Sequence, residues 1–198
     1  MYIVIEGIIG AGKSTIAQNL ARRLNATYYS EEFETNPCLK KFYSNPIRYA
    51  RCTEDFFLNQ RYEDLQRISK ILKGGGKVIA DFGFFKGMAF GMVNLSSADY
   101  HDFKKNYDRL IQTLPKAGFT IFLDADPEWA IQNIVKRNRL MEQNIELDYL
   151  ISLTRSYRHI IDRSDVSTVY KVSSEDFYFL SIEQLAEKLE AEIKLRFP

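Results

Sequence analysis

Three kinds of residue in this chain could do chemistry together: a glycine-spaced loop ending in Lys13-Ser14, carboxylates at Glu31 and Asp81, and the arginines Arg137 and Arg139. The loop reads Gly7-Ile8-Ile9-Gly10-Ala11-Gly12-Lys13-Ser14, a G-x-x-x-x-G-K-S pattern directly behind the β-branched run Tyr2-Ile3-Val4-Ile5. A polyphosphate needs many donors converging on a small volume, and a backbone supplies them only where Cβ atoms do not crowd the approach. Gly7, Gly10 and Gly12, with Ala11 among them, meet that need. A helix expected from about Lys13, with Ile16, Leu20 and Leu24 on one side, points its positive end at the phosphates. Lys13 adds a full charge, Ser14 a hydroxyl for Mg²⁺, and Thr15 stands with them as a nucleotide-binding residue.

Phosphoryl transfer also needs a metal anchor, a group that orients or deprotonates the nucleophile, and positive charge on the transferring group. Glu31 follows the β-prone run Ala26-Thr27-Tyr28-Tyr29-Ser30 and could act as base toward a substrate hydroxyl, or be a solvated loop carboxylate. Asp81 ends the buried-type strand Lys77-Val78-Ile79-Ala80 and could hold Mg²⁺ through water, or cap a helix. Arg137 and Arg139 precede a stretch with no apolar pattern and suit a lid over phosphates, or favour a helix carboxyl end.

The elements that must position these groups alternate. Asn45-Pro46 opens a helix whose periodicity runs to Leu72, and Gly74-Gly75-Gly76 stops it. The aromatic, glycine-containing stretch from Phe82 to Phe90 has no assigned element. Ser96-Ser97-Ala98-Asp99 opens a helix expected to run to about Leu114, and Phe119 to Asp124 reads as another buried strand. Asp126-Pro127 caps a helix ending at Lys136-Arg137-Asn138-Arg139, a further helix covers about Ile145 to Arg163, Thr168 to Val172 is the last strand, and Ser181 to Gln184 caps a closing helix. Strands alternating with helices imply a five-stranded parallel sheet with helices on both faces, in one domain over residues 1–198, with the phosphate loop at the carboxyl edge.

A net charge of +1, from 27 basic and 26 acidic side chains, gives no field to hold a nucleic-acid polymer or an anionic membrane. No apolar run is long enough to span a bilayer, and none reads as a leader. Cys38 and Cys52 form no C-x-x-C pair and lie beside no histidine cluster. Neither zinc nor a disulfide is expected, and a reducing, cytoplasmic setting is.

The opening Ile-Val-Ile-Glu-Gly-x-Ile-Gly-x-Gly-Lys-Ser, Glu31 with Asn36-Pro37, Lys41-Phe42-Tyr43 and Asn45-Pro46-x-Arg48-Tyr49-Ala50 resembles the deoxynucleoside kinases related to deoxyadenosine, deoxyguanosine and deoxycytidine kinase. So does Arg137-x-Arg139-x-x-Glu142 followed by Leu147-Asp148-Tyr149-Leu150, and the resemblance covers Met1 to about Tyr157. It implies Mg²⁺-dependent transfer of the γ-phosphate of ATP to the 5′-hydroxyl of a deoxynucleoside, on a P-loop kinase fold and in a homodimer. It makes Glu31 the base and Arg137 and Arg139 the lid arginines, and places Tyr43 and Glu142 on the sugar 3′-hydroxyl.

The sequence departs from the family's pattern in three places. The base-reading glutamine is Glu54 here, with Arg61 two helical turns further on. An ionised carboxylate can accept from N1 and N2 of guanine, with Arg61 donating to O6, which points to a purine and to deoxyguanosine; protonation of Glu54 would undo that match. An arginine common after the strand-three carboxylate is Phe82, for which Lys86 could substitute in space. A common aspartate is Gly87, whose small size would leave a roomier pocket, and Phe90 could stack on a base or pack in the core. Two other readings stay open: a nucleoside monophosphate kinase, disfavoured by Glu31, Glu32 and Glu34 near an acceptor phosphate, and an inactive nucleotide-binding scaffold, motivated by Phe82 and Gly87.

Overall fold

The computed structural model describes residues 1–163 and 168–197, with Arg163 and Tyr178 described by their backbone alone. Strand β1 (Tyr2–Gly7) forms the middle of a parallel sheet with β2 (Thr27–Tyr29), β3 (Val78–Ala80), β4 (Phe119–Leu123) and β5 (Val169–Val172), in the order β2-β3-β1-β4-β5. Ile3 stands opposite Ile79 on one side and Phe119 on the other. Every residue of β1, β3 and β4 is buried. Strands apolar on both faces need helices on both faces, which is why these runs do not alternate in polarity.

Helix α1 (Lys13–Arg23) covers β1, β2 and β3 with Ile16, Ala17 and Leu20. The last helix, α9 (Ile182–Arg196), packs on α1 through its buried Leu185, Leu189 and Ile193, and Arg23 pairs with Glu187 and Glu190 across that seam. A second group of helices packs together: α3 (Pro46–Lys73), α4 (Lys86–Asn94), α5 (Ser97–Ile111) and α7 (Leu147–Arg163), with α6 (Pro127–Arg137) against α7. Short helices α2 (Leu39–Ser44) and α8 (Ser174–Phe179) complete the described chain.

The start signals hold because each supplies an acceptor to an orphan N–H of the first turn. Asn45 accepts from the Arg48 amide, Ser96 from Asp99, Asp126 from Glu128, and Ser181 and Gln184 close a reciprocal box. Two boundaries differ from expectation: α5 stops at Ile111, short of Leu114, and α7 begins at Leu147, not Ile145. Helices α2, α4 and α8 were not expected. In α4, Gly87 and Gly91 let a neighbour close in, since a Cβ at either position would lie 3.3 Å from the ring of Phe103.

The cysteines correct the sequence reading. Cys38 and Cys52 pair as a disulfide with Cα atoms 6.1 Å apart, joining the start of α2 to α3, because the turn at Asn45-Pro46 folds these helices back on each other. No helix among the described residues is long and apolar enough to cross a membrane.

Phe103 is fully buried at the α4–α5 contact, and its removal leaves a cavity that the glycines of α4 cannot fill. Phe103→Ala is expected to lower the unfolding free energy by about 3–5 kcal/mol in urea titration, against about 1 kcal/mol for loss of the Asp126 cap in Asp126→Ala.

Candidate active site

The carboxyl ends of β1, β2 and β3 deliver the phosphate loop, Glu31 and Asp81 to one cavity of about 300 Å³. Open parallel sheets place their sites at this edge, because the connections leave a crevice there.

The loop is shaped by its glycines in two ways. Gly7, Gly10 and Gly12 all have positive φ. A Cβ on Gly7 would lie 2.7 Å from the Leu123 carbonyl oxygen, and one on Gly10 only 2.3 Å from that of Ala130, so these two let the loop seat against β4 and α6. Gly12 faces open space and is required by its left-handed backbone as the residue before α1. No side chain caps α1, which leaves its first amides for a ligand. Ala11 is fully buried behind the loop, and Thr15 is exposed one residue into the helix beyond Ser14.

Lys13 Nζ donates to the Gly7 and Ile8 carbonyl oxygens at 2.9 Å each. Burial, helped by the nearby Lys86 charge, pushes this ammonium down to about 8. Ser14 Oγ donates to Asp81 Oδ2 at 2.5 Å, which Tyr28 also reaches at 2.7 Å. The other Asp81 oxygen accepts from the Glu31 amide at 2.9 Å, so Asp81 fixes the start of the Glu31 segment.

Glu31 is held by two cations. Arg61 Nε donates to Oε1 at 2.7 Å and Lys86 Nζ to Oε2. Burial alone would raise the carboxyl, but Lys86 and Arg61 outweigh it and hold Glu31 at about 2. Phe82, by contrast, is fully buried in the core, edge-on to Tyr29, and the cation at the site comes from Lys86 at the head of α4. The space beside Gly87 is not open: Arg61 Nη1 and Phe103 fill it, so the missing side chain admits Arg61 rather than enlarging the pocket.

Glu54, on α3, accepts from Asn94 Nδ2 at 2.7 Å. Phe90 lines the same cavity with the Lys86 ammonium 5.4 Å from its ring centre. Tyr43 on α2 lines it beside Glu142, and burial followed by the Glu142 charge raises its phenol. Glu142 in turn binds both arginines: Arg137 Nε at 2.7 Å, and Arg139 at 3.5 Å, whose guanidinium also sits 4.6 Å from the Phe33 ring centre. Thus Gly10, Lys13, Ser14, Glu31, Tyr43, Glu54, Arg61, Asp81, Phe90, Arg137, Arg139 and Glu142 line one cavity.

Asn94 and Phe33 also line it and carried no signal in the sequence, because each reaches the cavity through tertiary packing and belongs to no motif; Tyr28 and Tyr149, which the sequence placed in a strand and in the family resemblance without a site role, line it as well. Chemically, the cavity offers a polyanion cradle, a pair of oxygens at its foot, an ionised carboxylate and a buried polar far end.

A family model for deoxynucleoside kinases matches residues 3–196. The chain is 35% identical to a deoxyguanosine kinase of Bacillus subtilis over 198 residues, covering 98% of this chain and 96% of the relative. It is 32% identical to a deoxyadenosine kinase of Dictyostelium discoideum, over 99% of this chain and 81% of that one. The fold superimposes on the deoxyadenosine kinase of M. mycoides with bound dATP at a TM-score of 0.86, with 22% identity, covering 98% of this chain and all of the other. With its sheet order, its phosphate loop and nearly its whole length accounted for in this way, the chain belongs to the deoxynucleoside kinase family.

Proposed function

We propose that this enzyme transfers the γ-phosphate of ATP, with Mg²⁺, to the 5′-hydroxyl of a purine deoxynucleoside, deoxyguanosine above all. The observation that carries the reading is the continuity of one cavity from the phosphate loop, past Glu31, to the buried pair Glu54 and Arg61. A deoxynucleoside laid along it has its 5′ end at Glu31 and its base at Glu54. The Bacillus subtilis relative named for deoxyguanosine supports the base preference.

Ser14 and Asp81 fit Mg²⁺, which takes hard oxygen ligands and leans on substrate phosphates and water rather than on a protein cage. Among the described residues no group of three or more acidic, histidine or cysteine side chains forms such a cage. When bound there, the ion neutralises charge on the phosphates. Lys13 leaves its two carbonyls to hold the donor phosphates, and the amides at the start of α1 add donors.

Glu31 stays ionised throughout the neutral range, and each oxygen keeps accepting capacity beyond its cation. Its first task is therefore to orient the 5′-hydroxyl; it takes the proton late, once bond formation has made that proton acidic. Tyr43 and Glu142 hold the sugar 3′-hydroxyl. Engaging Glu142 with the sugar frees Arg137 and Arg139 to turn toward the phosphoryl group, so sugar binding and lid charge are coupled. The reading includes a cytoplasmic homodimer, which the likeness to the family implies.

The test is phosphate transfer from ATP and Mg²⁺ to the four deoxynucleosides and their monophosphates. Selective turnover of deoxyguanosine is expected at about pH 8, where Glu54 is ionised; activity on monophosphates alone would overturn the reading. Lys13→Ala is expected to lower kcat by about 10²–10³-fold with the circular dichroism unchanged. Glu31→Gln is expected to lower kcat by a similar factor of about 10²–10³ while the deoxynucleoside KM moves by less than about threefold. An equal loss in both constants would make Glu31 a binding group.

A further inference from the structure

The two oxygens of Glu54 are treated differently by the protein. The side chain is 1% exposed; Oε1 accepts from Asn94, while Oε2 is buried with no hydrogen-bond partner. Two turns along α3, Arg61 is 2% exposed, commits Nε to Glu31 and leaves Nη1 buried and unpartnered. Both side chains line the active-site cavity. Buried polar atoms are rarely left unpaired in folded proteins, and where two cavity-lining side chains, one with an acceptor and one with a donor, each keep such an atom, a ligand edge of the opposite pattern completes them once they turn toward it.

With Glu54 and Arg61 facing the base as in the reading above, we propose that the proton on Glu54 selects the purine: ionised Glu54 takes guanine, protonated Glu54 takes adenine. The inference rests on the deoxynucleoside kinase reading of the same cavity. Guanine presents two donors, N1–H and N2–H, and a carboxylate accepts both. Adenine presents a donor at N6 and an acceptor at N1. A protonated carboxyl matches it by accepting from N6 and donating to N1, whereas a carboxylate would set lone pairs against N1. Arg61 Nη1 meets O6 or N7 and does not distinguish the two states.

The surroundings place this proton within reach of ordinary conditions. Glu54 is faced by Arg61 from its own helix, by Glu31 from the segment after β2, by Lys86 and Asn94 from α4, by Tyr43 from α2 and by Tyr149 from α7. Burial raises the carboxyl, Arg61 and the Asn94 amide lower it, Glu31 raises it again, and the balance leaves Glu54 at about 7. Burial lifts both tyrosines above their usual range, so they remain neutral and add no charge. Below about pH 7 the protonated form dominates and above it the ionised form does. Asn94 acts as a positioning residue: its amide occupies Oε1 and leaves Oε2 to carry or release the proton.

The experiment is a competition between deoxyguanosine and deoxyadenosine, read as the ratio of their kcat/KM values from about pH 6 to about pH 8. Every group that serves the shared 5′-hydroxyl and the phosphates cancels in that ratio, and neither purine ring titrates in this window. The ratio is expected to rise about tenfold per pH unit in favour of deoxyguanosine, following the ionised-to-protonated ratio of Glu54. In Glu54→Gln it is expected to be flat and to favour deoxyadenosine. Asn94→Leu withdraws a donor from the ionised form, so it should keep the slope and move the ratio toward deoxyadenosine at every pH. A wild-type ratio constant within about twofold across the window overturns the inference, as does a slope that survives in Glu54→Gln. Phosphorylation of neither purine at any pH overturns the purine deoxynucleoside reading on which the inference rests, and this result is distinct from a flat ratio.

Discussion

A charge taken out of water must meet its opposite, and the active site is arranged around one carboxylate that meets two. Glu31 lies between Arg61 and Lys86, and its own amide is tied to Asp81. That junction joins the ends of β2 and β3 to α3 and α4, so the position of the Glu31 carboxylate is set by four separate pieces of chain. Removing one partner from such a buried set leaves the others uncompensated, which costs more than the pair contributes when intact. A second buried carboxylate, Glu6 on β1, does similar work beneath the loop. It accepts from the amides of Gly7 and Gly83 and from the Tyr157 hydroxyl, linking β1, the segment after β3 and α7.

The phosphate loop depends on the rest of the fold as much as the ligand depends on the loop. Gly7 and Gly10 have no room for a side chain because of protein carbonyls, not because of phosphate, and Asn133 on α6 donates to the Gly10 carbonyl at 3.0 Å. Helix α6 therefore backs the loop on one side and ends in Arg137 on the other, so the element that braces the cradle also brings a cation to the same cavity.

Much of this was legible in the sequence where a local rule and a tertiary role coincide. The strands behind Gly7 and Asp81 are apolar on both faces, and the caps at Asn45, Ser96, Asp126 and Ser181 act within one turn, so each announces itself. Helix α4 did not: with Met88, Ala89, Phe90, Met92, Val93 and two glycines it is apolar nearly all round, so no polar face gives it a period. The partner of Glu54 was hidden for the same reason, since Asn94 ends that helix. The spacing of Glu54 and Arg61 put both in the pocket, but only the structure shows that Arg61 also serves Glu31. The cysteine pair was invisible because its proximity arises from the fold-back of α2 on α3.

Lys13 offers a last consequence. With its ammonium on the Gly7 and Ile8 carbonyls, the loop already encloses a positive charge of its own and stands open in the shape a phosphate requires. On the proposed function, nucleotide capture is an exchange, in which two internal hydrogen bonds are given up as new ones to oxygen anions form. On that reading the same exchange would run backward when product leaves, with the lysine returning to its carbonyls. A cradle that carries its own replacement for the ligand gives up some affinity and gains speed of release, which suits an enzyme that must empty its site on every turnover.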